Sequence, residues 1–401
     1  MQRTEAKMHL IEYKLAYTVM IVIVYLLGRN IPLYGIDVSA YKTVYGDADA
    51  LLMQAIGGDA NQYSLFALGL SPFMISSLLM MIIISCRNAC TKVRMSPRSM
   101  SRIQFSLVLN ISLFQALNHV QKLNFRATGR MLFAVKVAVV VEMMAGVMLV
   151  IWLAARNRRY GLGGQTILIY INIVDGVIST TNSRTLKSLL LPAGVSLIVL
   201  VVTLIMEGSE VRIPMQRISI HNIYADRNYM AIKLNPVGVM PVMFSSAFLA
   251  LFRLIISGLH WVFPGNELVV WWQESLTLTN PVGIVAYIVI LYLLTMGFAM
   301  VMISPSDISE QLLKSGDSIM NLHAGRDTRK YLRGKLCAVC FFSATVMGIC
   351  LGVPMLLQLV GGIDRELVMF PASVMMLAGL WYNIYQEYIT VKSYEAYQPF
   401  I

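Results

Sequence analysis

The sequence predicts an all-α integral membrane protein, with ten transmembrane helices arranged as two inverted five-helix halves. Three observations carry this prediction. Of 401 residues, 57% are hydrophobic and only 13% charged, about half the charged share of a soluble domain. Apolar runs of about 20 residues, the length that crosses a bilayer core, recur along the whole chain and leave no room for a soluble domain. Basic residues are also divided very unequally between alternate connecting segments.

The candidate spans lie near 15–31, 66–86, 103–121, 132–154, 165–180, 187–206, 236–256, 282–304, 335–355 and 367–388. No small-residue cleavage site follows the first, so it reads as a retained span and not a signal peptide. The fifth is short and contains Asp175. Connecting segments on one side, from Arg3 at the N-terminus to Lys392 at the C-terminus, hold 22 Lys and Arg. Those on the other side hold 8. Basic loops stay cytoplasmic, so both termini should face the cytoplasm. The net charge of +11 is then a rim that meets anionic membrane lipids or an acidic partner, not a nucleic-acid signal. Two cytoplasmic loops are long, near 207–234 and 305–335. The second begins "SPSDISEQLLKSGD", in which Asp307 is expected to cap a helix, Glu310 to close a capping box and Gly316 to end it. Five spans per half invert one half against the other, which gives an N-terminal half over 1–180 and a C-terminal half over 181–401.

Three segments break the apolar pattern. "YSLFALGLSPFMISS", Tyr63 to Ser77, carries Gly69, Ser71 and Pro72 where a span should be continuous. "GLGGQTILIYINIVDG" puts glycines before the short fifth span. "NPVGVMPVMFSS" opens the seventh with Pro236, Gly238 and Pro241. Glycine and proline weaken a helix, and irregular backbone at membrane depth is tolerated only where protein buries it or a cavity meets it. Broken helices in both halves point to a translocation path. Before the first break, "LLMQAIGGDANQY" is too short to span and reads as a re-entrant half-helix.

Catalytic, metal and cofactor motifs do not stand out. There is no GxxxxGK[ST] loop for nucleotide, no HExxH, no GxSxG and no pair of catalytic carboxylates. Cys337 and Cys340 form a CxxC without a matching pair, where zinc usually needs four ligands. All five cysteines are expected to be free. Of the charges inside spans, Lys136 and Arg253 are expected to snorkel from span ends, and Glu142 to pair with a neighbouring helix. Apart from any resemblance, a transporter of small solutes remains the alternative.

The stretches "SLFALGLSPFMISS", "GLGGQ…INIVDG", "RIPMQR…KLNPVGVMPVMFSS" and "LLKSG…GRDTRKYL", with "GRNIPLYGID" after the first span, resemble SecY, the channel subunit of the bacterial preprotein translocase. The match runs in order over nearly the whole chain. The resemblance implies a protein-conducting channel with a central pore and no enzymatic activity of its own. It implies a plug over about 50–62, with Leu52, Met53, Ile56, Gly57 and Gly58. It also implies an apolar pore ring carried by Leu70, Met74, Ile169, Ile173, Met243 and Met376, and a motor-docking face with Arg217, His323, Arg326, Arg329 and Lys330. Implied partners are a SecA-type ATPase, SecE- and SecG-like small subunits, accessory secretion proteins and the translocating preprotein, in the bacterial cytoplasmic membrane. Departures from the pattern include His323 where housekeeping SecY proteins carry an Arg, Gln62 near the plug, a trimmed 207–234 loop and 27 methionines. They resemble the accessory SecY of Gram-positive bacteria, a group that exports glycosylated serine-rich repeat adhesins. A housekeeping SecY is the alternative.

The charge count generates a topology test. In a cysteine-free background, a membrane-impermeant thiol reagent applied to intact cells should label a cysteine at Gly265 and miss one at Ser96. The reverse labelling pattern contradicts the ten-span map.

Overall fold

Among the described residues of the computed structural model, ten helices have 17 or more residues, and each overlaps one of the expected spans. The structure describes residues 10–36, 63–90, 96–121, 123–126, 130–182, 186–217, 229–262, 266–278, 280–320, 322–323, 325–361 and 367–397. In chain order they are α1 Leu10–Arg29, α2 Ser71–Cys90, α3 Pro97–Gln121, α4 Arg130–Tyr160, α5 Thr166–Asn182, α6 Leu186–Gly208, α7 Met240–Val262, α9 Pro281–Met302, α11 Arg326–Leu359 and α12 Phe370–Tyr397. Two shorter helices, α8 Glu267–Ser275 and α10 Pro305–Ser315, lie in connections. By length and composition, six helices among the described residues are apolar enough to cross a membrane: α1, α4, α6, α7, α9 and α11. The others carry polar residues inward, as α3 does with Ser112 and Gln115, or are short, as α5 is with 17 residues.

The ninth helix departs from its expected span of 335–355. It starts at Arg326 and has 34 residues, about 51 Å at 1.5 Å per residue, against a hydrocarbon core of roughly 30 Å. Its basic first turns therefore belong to the connection before it. α10 is capped differently from the expectation. Ser304, not Asp307, is the N-cap; its hydroxyl accepts from the Asp307 N–H at 3.4 Å, with Pro305 at the first helical position. Pro305 has no N–H to satisfy, so the start falls there. Gly316 ends α10 in the left-handed conformation as expected, φ 75°, and Glu310 pairs with Lys314 at 2.8 Å.

The two long connections, near 207–234 and 305–335, are joined, which their sequences did not suggest. β1 Glu210–Arg217 pairs antiparallel with β2 Tyr229–Lys233, Glu210 opposite Lys233 and Ile213 opposite Met230. On its other edge β1 pairs with β3 Asp317–Ile319, Met215 opposite Ile319 and Arg217 opposite Asp317. The order is β2-β1-β3. Ile213, Ile232 and Ile319 are buried with Leu312 of α10, Phe298 of α9 and Leu332 of α11, so the sheet and the helices around it share one small core.

The main core takes residues from nearly every long helix, Tyr25 on α1 to Leu380 on α12. α2 packs on α7, and α12 on α5 and α1, so the expected N- and C-terminal halves meet through these helices. The irregular segment before α2 is fixed from several sides. Leu33 N–H donates to the Tyr63 carbonyl at 2.9 Å and Leu65 N–H to the Ile31 carbonyl at 2.9 Å. Phe66 stacks on Tyr25, ring centres 5.7 Å apart. Gly146 of α4 lies under this segment, where a Cβ would collide with the Leu65 carbonyl oxygen.

Gly146 should therefore tolerate nothing larger. Gly146→Ala should lower the thermal midpoint of the detergent-solubilised protein, through overpacking of about 1–3 kcal/mol. Gly194→Ala on α6, where a Cβ meets open space, should leave it unchanged or raise it, since alanine favours a helix by roughly 1 kcal/mol over glycine. Equal midpoints for the two variants contradict this packing.

Candidate functional site

In each broken segment one residue separates a glycine in the left-handed conformation from the start of a helix. Gly69 (φ 50°) precedes α2, Gly163 and Gly164 (φ 73° and 46°) precede α5, and Gly238 (φ 68°) precedes α7. Side chains with a Cβ are strained there, which accounts for these four glycines. A helix that begins inside a protein leaves its first N–H groups without helical partners, and unsatisfied polar groups are costly in an apolar interior.

At α2 the chain satisfies itself with turns: Gly69 N–H donates to the Phe66 carbonyl at 2.7 Å and Ser71 N–H to the Leu68 carbonyl at 3.2 Å. The buried Ser71 hydroxyl accepts from Gln115 Nε2 of α3 at 3.2 Å. At α5 the partners come from three other helices. Leu162 N–H donates to Thr18 Oγ1 of α1 at 2.8 Å, and Gly163 N–H to Glu387 Oε2 of α12 at 3.0 Å. Asn157 of α4, fully buried, donates from Nδ2 to the carbonyls of Leu162 and Gly164, each at 2.9 Å. Before α7, Asn235 Nδ2 donates to Glu207 Oε1 of α6 at 2.8 Å, and Asn235 Oδ1 accepts from Ser343 Oγ of α11 at 3.0 Å. Lys233 Nζ beside it donates to Gln386 Oε1 of α12 at 2.6 Å.

These starts bring the expected ring residues to one place. Met74, Ile169 and Met243 are each the fourth residue of their helix. Leu70, Met74, Ile169, Ile173, Met243 and Met376 are all buried, none more than 4% exposed, and all six belong to a single apolar cluster. Tyr287, Met347, Met355 and Met375 join the same cluster. Sequence reasoning missed Tyr287, Met347 and Met355 because no glycine break marks α9 or α11, and on α12 it named Met376 but not its neighbour Met375. α3 carries polar residues to both flanks of the α2–α7 contact: Gln104 Nε2 donates to Ser77 Oγ at 3.4 Å, and Ser257 Oγ of α7 to Asn118 Oδ1 at 3.3 Å.

The expected docking residues separate from this cluster. His323, Arg326, Arg329 and Lys330 are exposed at the start of α11, where the His323 carbonyl accepts from Thr328 Oγ1 at 2.8 Å. Arg217 ends β1, on the strand that pairs with β3. An open groove of about 600 Å³ runs beside them, lined by Leu322, Asp327, Lys330, Tyr331, Gly334 and Lys335. The plug residues Leu52, Met53, Ile56, Gly57 and Gly58 lie outside the described residues, as does Gln62.

The remaining intramembrane charges have partners. Asp175 pairs with Arg29 of α1 at 2.7 Å. Glu142 accepts from the Tyr34 backbone N–H at 3.0 Å, so its partner is the segment after α1 and not a side chain on a neighbouring helix. Arg253 lies mid-helix in α7, not at a span end, and donates to the Leu276 carbonyl. Cys86, Cys337, Cys340 and Cys350 are free thiols, and no cluster of metal-ligating side chains occurs among the described residues.

The SecY family model matches residues 64–385. The chain is 27% identical to the accessory Sec system protein translocase subunit SecY2 of Leuconostoc gelidum, over 97% of both chains. It is 29% identical to the protein of that name in Streptococcus sanguinis, over 93% of this chain and 94% of that one. Among solved structures, one described as a protein conducting channel superposes with a TM-score of 0.70 at 16% identity, covering 96% of this chain and 93% of that one. Sec61 in a canine ribosome–channel complex superposes with a TM-score of 0.66 at 15% identity, with the same coverage.

Proposed function

The chain belongs to the SecY family, and from that premise we propose that it is the protein-conducting channel of an accessory Sec translocase, driven by a SecA-type motor. The observation that carries the channel reading is the convergence of three glycine-broken helix starts on one buried apolar cluster. In a family of protein-translocation channels the cluster's task is passage, not catalysis. The full-length relatives named accessory SecY2 support the subtype.

In this reading Leu70, Met74, Ile169, Ile173, Met243 and Met376 form the ring that seals the closed pore. Exposing a side chain of this size to water costs about 1.5–3 kcal/mol, so the ring closes by default and resists wetting. A translocating polypeptide replaces the contacts that opening removes. Leu, Ile and Met offer it no directional hydrogen bond, and methionine refits to changing shapes with little strain. Parting of α2 from α7 opens the wall between the halves, and the segment over about 50–62 plugs the pore from outside. Both termini face the cytoplasm, and the 1–180 and 181–401 halves are inverted repeats.

The motor docks on the cytoplasmic platform built from β1, β3, α10 and the start of α11. Arg217, His323, Arg326, Arg329 and Lys330 present its basic surface, which orients an acidic partner. SecE- and SecG-like subunits brace the helices from the membrane. The clients are glycosylated serine-rich repeat adhesins, delivered with accessory secretion proteins. His323, in place of the housekeeping arginine, favours a dedicated motor over a shared one.

The docking role is tested by reversing Arg326, Arg329 and Lys330 to Glu together. All three side chains are exposed, so the protein should reach normal levels while client export falls by at least about tenfold, the scale of losing more than 1.4 kcal/mol of binding. Export at the parental rate contradicts docking at this face.

A further inference from the structure

The connection between α7 and α9 carries α8, nine residues long, and its surroundings fasten it tightly. Asn266 caps its start, the side chain accepting from the Leu268 N–H at 3.1 Å. Beyond its other end, Arg253 of α7 donates from Nε and Nη2 to the Leu276 carbonyl at 3.2 and 3.0 Å, a cation placed where a helix C-terminus is negative. Leu276 and Leu278 are buried in the main core. Gly283, in the first turn of α9, lets the Thr277 carbonyl approach so closely that a Cβ would collide with it.

One face of this fastened helix nevertheless stays uncovered. Leu268, Trp271 and Trp272, at positions i, i+3 and i+4, are 69%, 51% and 46% exposed. Two of the chain's five tryptophans are therefore spent here. α8 packs on both α7 and α9, whose own outward faces are apolar: Phe252, Ile255 and Leu259 on α7, Val282 and Val285 on α9. Such faces on membrane-crossing helices meet acyl chains, and α8 lies against both of these helices. Tryptophan, with an apolar body and one N–H, favours the level where acyl chains give way to headgroups.

We propose that α8 is an interfacial anchor, its Leu268–Trp271–Trp272 face bedded in the headgroup–acyl boundary of the bilayer and fixing the outer end of α7 to the lipid surface. The side of the membrane rests on the topology above; the depth does not, so the two fail separately.

The test uses the full-length channel with Trp152, Trp261 and Trp381 replaced by Phe, reconstituted in phosphatidylcholine brominated either near the headgroup end of the acyl chain or near its terminus. Emission from Trp271 and Trp272 should fall by about half with the shallow bromines and by clearly less with the deep ones, while aqueous iodide changes it by less than about a tenth. Strong quenching by iodide without quenching by bromolipid overturns the anchor in favour of water. Resistance to both overturns it in favour of a protein partner or a second copy. If the triple Phe variant fails to fold, a nitroxide on Leu268→Cys in a background lacking the other cysteines decides. Greater access to oxygen than to an aqueous nickel chelate supports the anchor, and the reverse overturns it.

Discussion

Backbone amides at the starts of helices inside an apolar interior must find partners, and the rest of the structure depends on how they do. A helix that crosses a bilayer without interruption satisfies its backbone within itself. α2, α5 and α7 instead follow glycines with positive φ, so each exposes unpaired N–H or C=O groups at its start. At α5 the partners that meet those groups come from three other helices, Thr18 on α1, Asn157 on α4 and Glu387 on α12; at α2 the chain turns back on itself, and before α7 the Asn235 side chain ties to Glu207 on α6. Of these bonds, the one from Gly163 N–H to Glu387 Oε2 joins the two expected halves. The first turns of the three helices carry Met74, Ile169 and Met243 into the common cluster.

The cluster and its frame differ in stiffness by chemistry. Hydrogen bonds at 2.7–3.2 Å are directional and resist sliding, whereas contacts between Leu, Ile and Met are not directional. A channel built this way has a rigid frame around a seal that yields. The polar side chains of α3 extend the frame along the α2–α7 contact, at Ser71, Ser77 and Ser257. Single hydrogen bonds of this kind contribute about 1 kcal/mol net each.

Much of this was legible in the sequence, for physical reasons. Long apolar runs and basic asymmetry reflect the bilayer itself, so the ten helix positions and the basic loops could be read directly. Gly69, Gly163 and Gly238 mark breaks because few other residues adopt their conformation. The family resemblance then extended the reading from breaks to six expected ring residues, which are buried in one cluster. The three-stranded sheet was not legible. β3 has three residues, too short for an alternating pattern to register, and β1 includes Pro214, which argues against a strand. Alternation in "VRIPMQ", with Ile213 buried between exposed Arg212 and Pro214, was the signal that could have found it. The cap of α10 was misassigned to Asp307 because Ser304 and Asp307 both suit the position, and only Pro305 decides between them. Arg253 was placed at a span end because α7 was expected to stop at 256, and it continues to Val262.

The central claim is that the cluster gathered by the three broken helices is the path of the translocating chain. It is tested most directly by a photo-crosslinking residue introduced at Leu70, Met74 or Met243 in cells holding a stalled client, with Phe133 on α4 and Leu197 on α6, both more than 60% exposed on apolar faces, as comparison positions. The expected result is a client adduct at each of the three buried positions and none at the two outward-facing ones. Equal capture at both sets, or capture at the outward-facing positions alone, would contradict a pore at this site.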